Sequence, residues 1–494
     1  MPGPRRSLLI LVVLFVLMNL VGLDRSSLVW VDEVTLNDPA KELALHGTLR
    51  SSVFAGADGF DQTYLWLPPA QPLLIAAVYK MFGFGIWQTR IPSVLFGASA
   101  VAMLYFIARR LLNAHRPALL SVVLFALNPQ FVHTVRSGRM DAQCLFLAFV
   151  GILLFLRSQS QRNSIPLLRL AGVAIGLSGL THPIAIVWGL AIIVLIILTQ
   201  PSRKLFTLMI FCTSAALLPV VWIVYALRTP EYFKAQFLSI VTAHTAQGTI
   251  LSRIIDEFAR YGIVYQAVPL LLLALVAGIS WFVFKYKDVA QSKLRLCILF
   301  LIPFLFVAFF MTKTGGSWFY ILHPVSMLTI MAGAMAGSLL PSQVTGAASI
   351  RHRATMAAAS LLFLNLLIGG IVGRYIVLMR QWNARNYESI TEPIRALIPR
   401  GSVIFGAPEV WYAAENAGAA LRLRGQPDPK LHDFVVTKSK DSITAIQGFR
   451  KIADIGHQLP PVLGSYTFSS TDYQLVIWEA DRRATDIIDL AENR

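Results

Sequence analysis

Charged residues are scarce in this 494-residue chain: Asp, Glu, Lys and Arg make up 14% of it, against 56% hydrophobic residues and a mean hydropathy of +0.62. Soluble globular domains carry about a quarter charged residues, so the composition excludes that class and leaves a polytopic helical membrane protein. Cysteine is scarcer still. Cys144, Cys212 and Cys297 each fall inside an apolar segment, which argues against a disulfide framework or a thiolate metal cluster and leaves the compartment open. Arg5 and Arg6 resemble the start of a signal peptide, but no small-residue cleavage site follows before Asp24, so residues 7–23 read as a retained span. There is no internal repeat and no low-complexity segment. Gly401, Gly406, Gly418 and Gly425 lack the spacing that cradles a nucleotide phosphate.

The rarest feature is acid in the first three quarters of the chain. Residues 380–494 hold 14 bases and 14 acids, which leaves 29 bases, 12 acids and the whole net charge of +17 to residues 1–379. The bases sit in short loops between apolar segments, in clusters such as Arg5/Arg6, Arg109/Arg110/Arg116, Arg203/Lys204 and Lys285/Lys287/Lys293/Arg295. That is the positive-inside pattern of cytoplasmic loops and not a nucleic-acid footprint. Of the twelve acids only Asp288 falls in a basic loop. Seven lie in one stretch on the opposite side, residues 24–90, where Trp30-Val31-Asp32-Glu33 presents two adjacent carboxylates just past the first span. A solvated loop face would look similar, but so strong a gathering of acids on one side marks a candidate site.

Eleven spans are predicted, near 7–23, 91–108, 117–134, 142–156, 168–180, 183–199, 205–226, 262–284, 296–312, 317–340 and 354–373. With the N-terminus in the cytoplasm by its basic residues, an odd number puts the C-terminal residues outside. Thr181-His182-Pro183 breaks one apolar run into two short helices, because proline lacks a donor and disfavours helix at the residue before it. Between spans, residues 24–90 and 227–261 form outer loops. The first contains an amphipathic run from Asn37 to Leu49, then prolines that forbid helix before Leu73, then an interfacial apolar run. In the second, Phe233, Phe237, Ile240 and Val241 have the spacing of another interfacial helix. Residues 1–379 thus read as a transmembrane domain and 380–494 as a small outer α/β domain. Its strands are expected at 402–407, 433–437 and 473–480, and its helices at 409–417 and 441–452.

The succession of segments is more specific than any one of them. PPAQPLLIAAVYKMFG is followed by TRIPSVLFGASAVAMLYFIARRLL, then NPQFVHTVRSGRMDAQCLFLAFVGILLFLRS and LAGVAIGLSGLTHP. Over residues 7–340 this order resembles the bacterial branch of the protein mannosyltransferase superfamily, whose relatives include the polyprenyl-phosphate-dependent aminoarabinose transferases of lipid A. The resemblance implies the GT-C membrane fold, a bacterial inner-membrane location, a polyprenyl-phosphate sugar donor and transfer on the extracytoplasmic side. It makes Asp32 the catalytic base with Glu33 beside it. It also matches Arg139-Met140-Asp141 to a family outer-loop motif and Lys313 to a basic residue before an aromatic-proline run. The aminoarabinose transferases carry a lysine directly before their Pro-Pro, and here Leu67 stands there, so another base must do that work or the substrate differs.

The chemistry is consistent with that resemblance. Sugar transfer from a lipid phosphate needs a carboxylate to take the acceptor's proton, cations to meet the leaving phosphate, and a lipid-facing groove. Asp32 and Glu33 offer the first, and the weak spans over 168–199 the third. For the second, Arg136, Arg139 and Lys313 are the candidates, with Asp141 and Tyr320 in support. Lys80, Arg90 and Arg228 read instead as interfacial snorkellers. Tyr320 also fits an interfacial aromatic belt with Trp318, and His182 reads as structural. His133, His244 and His323 have no metal spacing. The sequence requires no cofactor, although Asp32 and Asp141 are compatible with a divalent ion. The acceptor is left open among lipid, glycan and protein. The competing class is a transporter or lipid-linked-sugar flippase, which also uses broken helices. Against it stand the missing inverted repeat and the single acidic cluster. A scaffold presenting the C-terminal domain would explain that domain but not the acids.

Overall fold

The computed structural model describes residues 4–161, 164–199, 203–238, 248–264, 290–310, 317–339, 372–441, 445–459 and 473–481. The chain enters as α1 (Pro4–Leu20), a 17-residue apolar helix. α2 (Val31–His46) and α3 (Ala70–Phe82) follow, and α4 (Ile86–Leu112), α5 (His115–Ala126), α6 (Pro129–Arg136), α7 (Asp141–Ser158), α8 (Ile165–Thr181), α9 (Ile186–Thr199) and α10 (Lys204–Ala226) make up most of the bundle. Beyond them lie α11 (Pro230–Phe233), α12 (Ile250–Val264), α13 (Ala290–Phe310) and α14 (Leu322–Leu339). Among the described residues five helices are long and apolar enough to cross a membrane, or six if the bent pair α5–α6 counts as one. The expected spans at 354–373, up to its last two residues, and at 262–284, past its first three, lie outside the described residues.

The structure divides the span expected over 117–134. α5 and α6 meet at a 60° bend. The cause is local: the Asn128 side chain accepts from the amides of Gln130 and Phe131 at 3.0 and 3.2 Å, and Pro129 opens the new helix where no donor is needed. The break at His182 is found as expected. α8 ends at Thr181, His182 is extended, and its Nδ1 accepts from the Ile184 amide at 3.0 Å to start the next turn. α8 lies tightly against α10, since a Cβ on Gly172 or Gly176 would come within 2.6 Å of Phe211 O or 2.4 Å of Ala215 O. Small residues one turn apart let two backbones approach where lipid supplies no hydrophobic drive. The opposite face of α10 is exposed and apolar, with Leu205, Met209, Leu217 and Val221 more than half accessible, as a lipid-facing helix requires.

Two expectations for the first outer loop need correction. The amphipathic helix begins six residues before Asn37, so Asp32 and Glu33 occupy its first turn rather than a preceding loop. α3 begins at Ala70, with Pro72 inside its first turn, where the amides have no intrahelical partner and a missing N–H costs nothing. At 13 residues α3 is too short to cross, in keeping with an interfacial helix. In the second expected outer loop α11 runs into a five-residue π turn, Lys234–Leu238, and Phe233 at the end of α11 stacks on Phe237 of that turn at 5.2 Å. Ile240 and Val241 lie outside the described residues.

After α15 (Gly373–Arg380) and α16 (Glu388–Leu397) the chain forms a five-stranded mixed sheet with α17 (Trp411–Ala417). The strands are β1 (Val403–Gly406), β2 (Ala420–Arg422), β3 (Phe434–Lys438), β4 (Phe449–Ile455) and β5 (Leu475–Ala480), in the order β2-β1-β3-β5-β4. β1 runs parallel to β2 and β3, and β5 antiparallel to β3 and β4. The helix expected over 441–452 is wrong. Residues 449–455 are strand β4, buried at Phe449 and Ile455 and largely exposed between, because antiparallel pairing to β5 outweighs the helical preference of Arg, Lys and Ala. β2, three residues long, is too short for a sequence pattern.

Candidate transfer site

The first turn of α2 is the centre of the site. Trp30 precedes it in extended conformation without a side-chain cap, so Asp32 and Glu33 lie in a turn whose amides lack intrahelical partners and whose dipole favours negative charge. Asp32 is about one-third exposed, whereas Glu33 is fully buried. Successive helix residues diverge by about 100°, so the two carboxylates cannot share one direction.

Asp32 points toward the turn between α6 and α7. The Arg139 guanidinium donates through Nη1 to Asp32 Oδ2 and through Nε to Asp141 Oδ2, the latter at 2.8 Å. Its flat face lies 3.7 Å from the centre of the Phe319 ring, a cation–π contact that fixes its plane, and Trp30 stands 5.8 Å away. The turn is held on both sides. Ser93 Oγ donates to Arg139 O at 2.8 Å, and Asn37 Nδ2 donates to Gly138 O at 3.0 Å. Gly138 has φ +64°, and a Cβ there would come within 2.9 Å of the Thr89 methyl, so only glycine fits. Tyr320 lies within electrostatic reach of Arg139, Asp141 and Asp32, with its ring 5.5 Å from His182. His133 is buried between Trp30 and Phe319, its Nδ1 3.1 Å from Ser27 Oγ.

Glu33, expected as a second catalytic carboxylate, is taken up elsewhere. Arg90 grips it in a two-pronged pair, Nε to Oε1 at 2.7 Å and Nη2 to Oε2 at 2.6 Å, and Tyr412 donates to Oε1 at 3.0 Å. The third arm of Arg90, Nη1, donates to the carbonyls of Leu23 and Ser27. Arg90 is therefore no snorkeller. It is fully buried because every arm of its guanidinium has a partner. Replacing Glu33 by glutamine would leave that cation underpaired in the interior, which costs about 3–5 kcal/mol. The expected result is a large fall in the unfolding temperature of the purified protein, with transfer per folded molecule falling far less.

Arg136 is likewise committed. Its guanidinium donates to Ser26 O at 2.9 Å, Val21 O at 2.9 Å, Gly22 O at 2.8 Å and Asn19 O, covering the open carbonyls at the end of α1. The phosphate role expected of Arg136 thus meets a buried residue with four of its five donors already engaged. Lys313 lies outside the described residues. Lys80 and Arg228 are exposed, as snorkelling side chains would be. Among the described residues no group of three His, Cys, Asp or Glu side chains is arranged to hold a metal ion.

A second buried cluster escaped sequence reasoning. Lys41, one helical turn beyond Asp38, meets Asp38 at 3.2 Å, Glu42 at 3.3 Å and Glu415 in α17. Burial alone would raise the Asp38 carboxyl. Lys41, the Val53 amide and the Ser51 and Ser52 hydroxyls outweigh it and hold the group below its ordinary value. Asp38, Glu415 and Glu42 overcome burial at Lys41 and raise its ammonium, so lysine and aspartate both stay charged. A lysine flanked by Asp38 and Glu42 is the only sequence signal for this cluster, since Glu415 is 374 residues away.

Residues 67–227 match the family model described as dolichyl-phosphate-mannose-protein mannosyltransferase. Among curated protein sequences none matches the chain. Among solved structures, the apo state of ArnT from Cupriavidus metallidurans aligns with a TM-score of 0.62 at 15% identity, covering 96% of this chain and 98% of that one. The same protein bound to undecaprenyl phosphate aligns at 0.57 and 16% identity, over 95% and 97%. The mycobacterial arabinofuranosyltransferase AftD aligns at 0.58 and 14% identity, over 96% of this chain and 40% of its own.

Proposed function

This chain has the GT-C glycosyltransferase fold, and from that premise we propose that it moves a sugar from a polyprenyl-phosphate donor to an acceptor on the extracytoplasmic side of a bacterial inner membrane. The observation that carries the proposal is the partly exposed Asp32, bridged through Arg139 to the buried Asp141 over the face of Phe319. In this reading Asp32 takes the proton of the acceptor's hydroxyl or amine as that group attacks the anomeric carbon. The bond between that carbon and the phosphate oxygen breaks, and the polyprenyl phosphate leaves with the electron pair. Arg139 meets the charge that develops on the phosphate, and Lys313 is the second cation. Glu33 positions the turn and does not react.

ArnT was solved with undecaprenyl phosphate, and an archaeal oligosaccharyltransferase from Archaeoglobus fulgidus (TM-score 0.52, 13% identity, covering 84% of this chain and 64% of that one) with a dolichol phosphate. Both support a lipid phosphate as the donor's carrier. The test places the full chain in nanodiscs with labelled polyprenyl-phosphate mannose, arabinofuranose and aminoarabinose, together with a cell-envelope extract as acceptor. Release of polyprenyl phosphate together with a new labelled product is the expected result. Movement of intact donor between leaflets of a proteoliposome without release would establish the flippase reading instead.

A further inference from the structure

The C-terminal sheet domain packs against the helix that carries Asp32. One hydrophobic core contains Leu28, Val29, Val34 and Val53 from the first loop together with Ile390, Ile394, Trp411, Tyr412, Tyr473 and Ile477 from the C-terminal residues. Polar contacts then mark both ends of the first half of α2. Before the helix, the Val29 amide donates to the Tyr473 hydroxyl at 3.1 Å. In its first turn, the Tyr412 hydroxyl reaches Glu33 at 3.0 Å and Thr89 at 2.8 Å, and Thr89 also meets Tyr79 at 2.6 Å. Two turns further on, Glu415 pairs with Lys41. Beside these, the Leu423 amide donates to Val53 O at 2.9 Å, and Arg422 donates to Ser52 O. The amides of Ser52 and Val53 in turn bind Asp38 at 2.7 and 3.1 Å. Tyr412 remains a donor: burial, with the Glu33 carboxylate beside it, pushes its phenol well above the ordinary range.

Resting on the transfer reading above, we propose that the C-terminal domain is a working part of the transfer site, in which Tyr412 on Glu33 and Glu415 on Lys41 hold the first turn of α2 so that Asp32 faces Arg139 and the acceptor. The physical need is plain. A helix entered without an N-cap, and interrupted by Pro39, has few bonds of its own near Asp32. Membrane helices α4 and α7 and the turn between α6 and α7 hold one side of it through Arg90 and Arg139. Its other faces rest on α3, where Ala40 packs against Ile75 and Tyr79, on the Ser51–Val53 stretch that binds Asp38, and on the sheet domain through Tyr412 and Glu415. Tyr412 and Glu415, one turn apart on α17, bind two positions of α2 that are eight residues apart, which fixes both its rotation and its tilt.

The experiment compares the full chain with Tyr412→Phe and Glu415→Gln, two substitutions that keep volume and remove one polar contact each. Hydrogen exchange of residues 31–38 is read alongside transfer kinetics at saturating and limiting donor. Exchange of that first half of α2 should rise by roughly tenfold for each lost contact while β1, β3 and β5 keep their protection. A displaced base should lower kcat by about 10- to 100-fold with KM for the donor little changed. Unchanged exchange at 31–38 overturns the proposal, as does faster exchange with kcat intact, or a rise spread equally over the sheet. Because exchange is read without turnover, loosened residues 31–38 in a chain that transfers no sugar would support the clamp and sink the transfer reading separately.

Discussion

Replacing Asp32 by asparagine should lower sugar transfer by about 10² to 10⁴-fold, the usual loss when a general base is removed, while membrane insertion and protein amount stay as in the native chain. The substitution keeps the shape and takes away the charge. Asp32 is about one-third exposed and its neighbour across the site, Arg139, retains Asp141 at 2.8 Å, so no buried cation is stranded. That separates this variant from Glu33→Gln, where the partner Arg90 is buried and, among the described residues, has no second carboxylate bound to it. Two adjacent acids should therefore give opposite signatures: Asp32→Asn a stable, inactive protein, and Glu33→Gln an unstable protein whose folded fraction still transfers. The measurement is release of polyprenyl phosphate in nanodiscs, normalised to protein that remains folded by its unfolding curve. Near-native turnover in Asp32→Asn would remove the base from the mechanism, and the reverse ranking would move it to Glu33.

How far the sequence reached is clearest at this pair. Asp32 could be singled out because charge is sorted along the sequence itself: seven of the twelve acids in residues 1–379 fall within residues 24–90. The break at His182 could be found because proline acts on its own neighbour. What divides Asp32 from Glu33 was out of reach, since it depends on Arg90 at 57 residues' distance and Tyr412 at 379. The same holds for Arg136. Its residue type and its expected side of the membrane both suit a phosphate ligand, yet the end of α1 lies over it and takes four of its five donors. Local errors had local causes. The helix start at Val31 was hidden because Trp30 carries no capping side chain, and strand β4 because its charged, outward residues read as helix until β5 pairs with it.

The second large effect is expected at Arg139, and there the choice of substitution matters. Its guanidinium serves two carboxylates through different nitrogens, Nε to Asp141 and Nη1 to Asp32, with its plane set by Phe319. A donor phosphate offers the same kind of oxygen pair as a carboxylate, so it can take the place of Asp32 on the outer arm while Asp141 keeps the inner one. In the proposed mechanism the arriving donor would thereby release Asp32 toward the acceptor at the step where a base is required. Lysine cannot reproduce it, because a single ammonium has no rigid fork and cannot span both partners in one plane. Arg139→Lys should keep the site's charge and still lose about 10- to 100-fold in transfer, the worth of one charge-assisted hydrogen bond. Arg139→Ala should do worse, raising the donor concentration needed for half-maximal rate and lowering stability, since Asp141 is buried and would lose its cation. Lys313→Ala should raise the donor requirement without that stability loss if it is the second phosphate contact. Transfer is to be followed against donor concentration for all three, with unfolding temperature measured beside it. Donor dependence at the native level in Arg139→Lys would mean that Arg139 serves only to hold Asp32 and Asp141 together, and the leaving phosphate must then find its charge elsewhere.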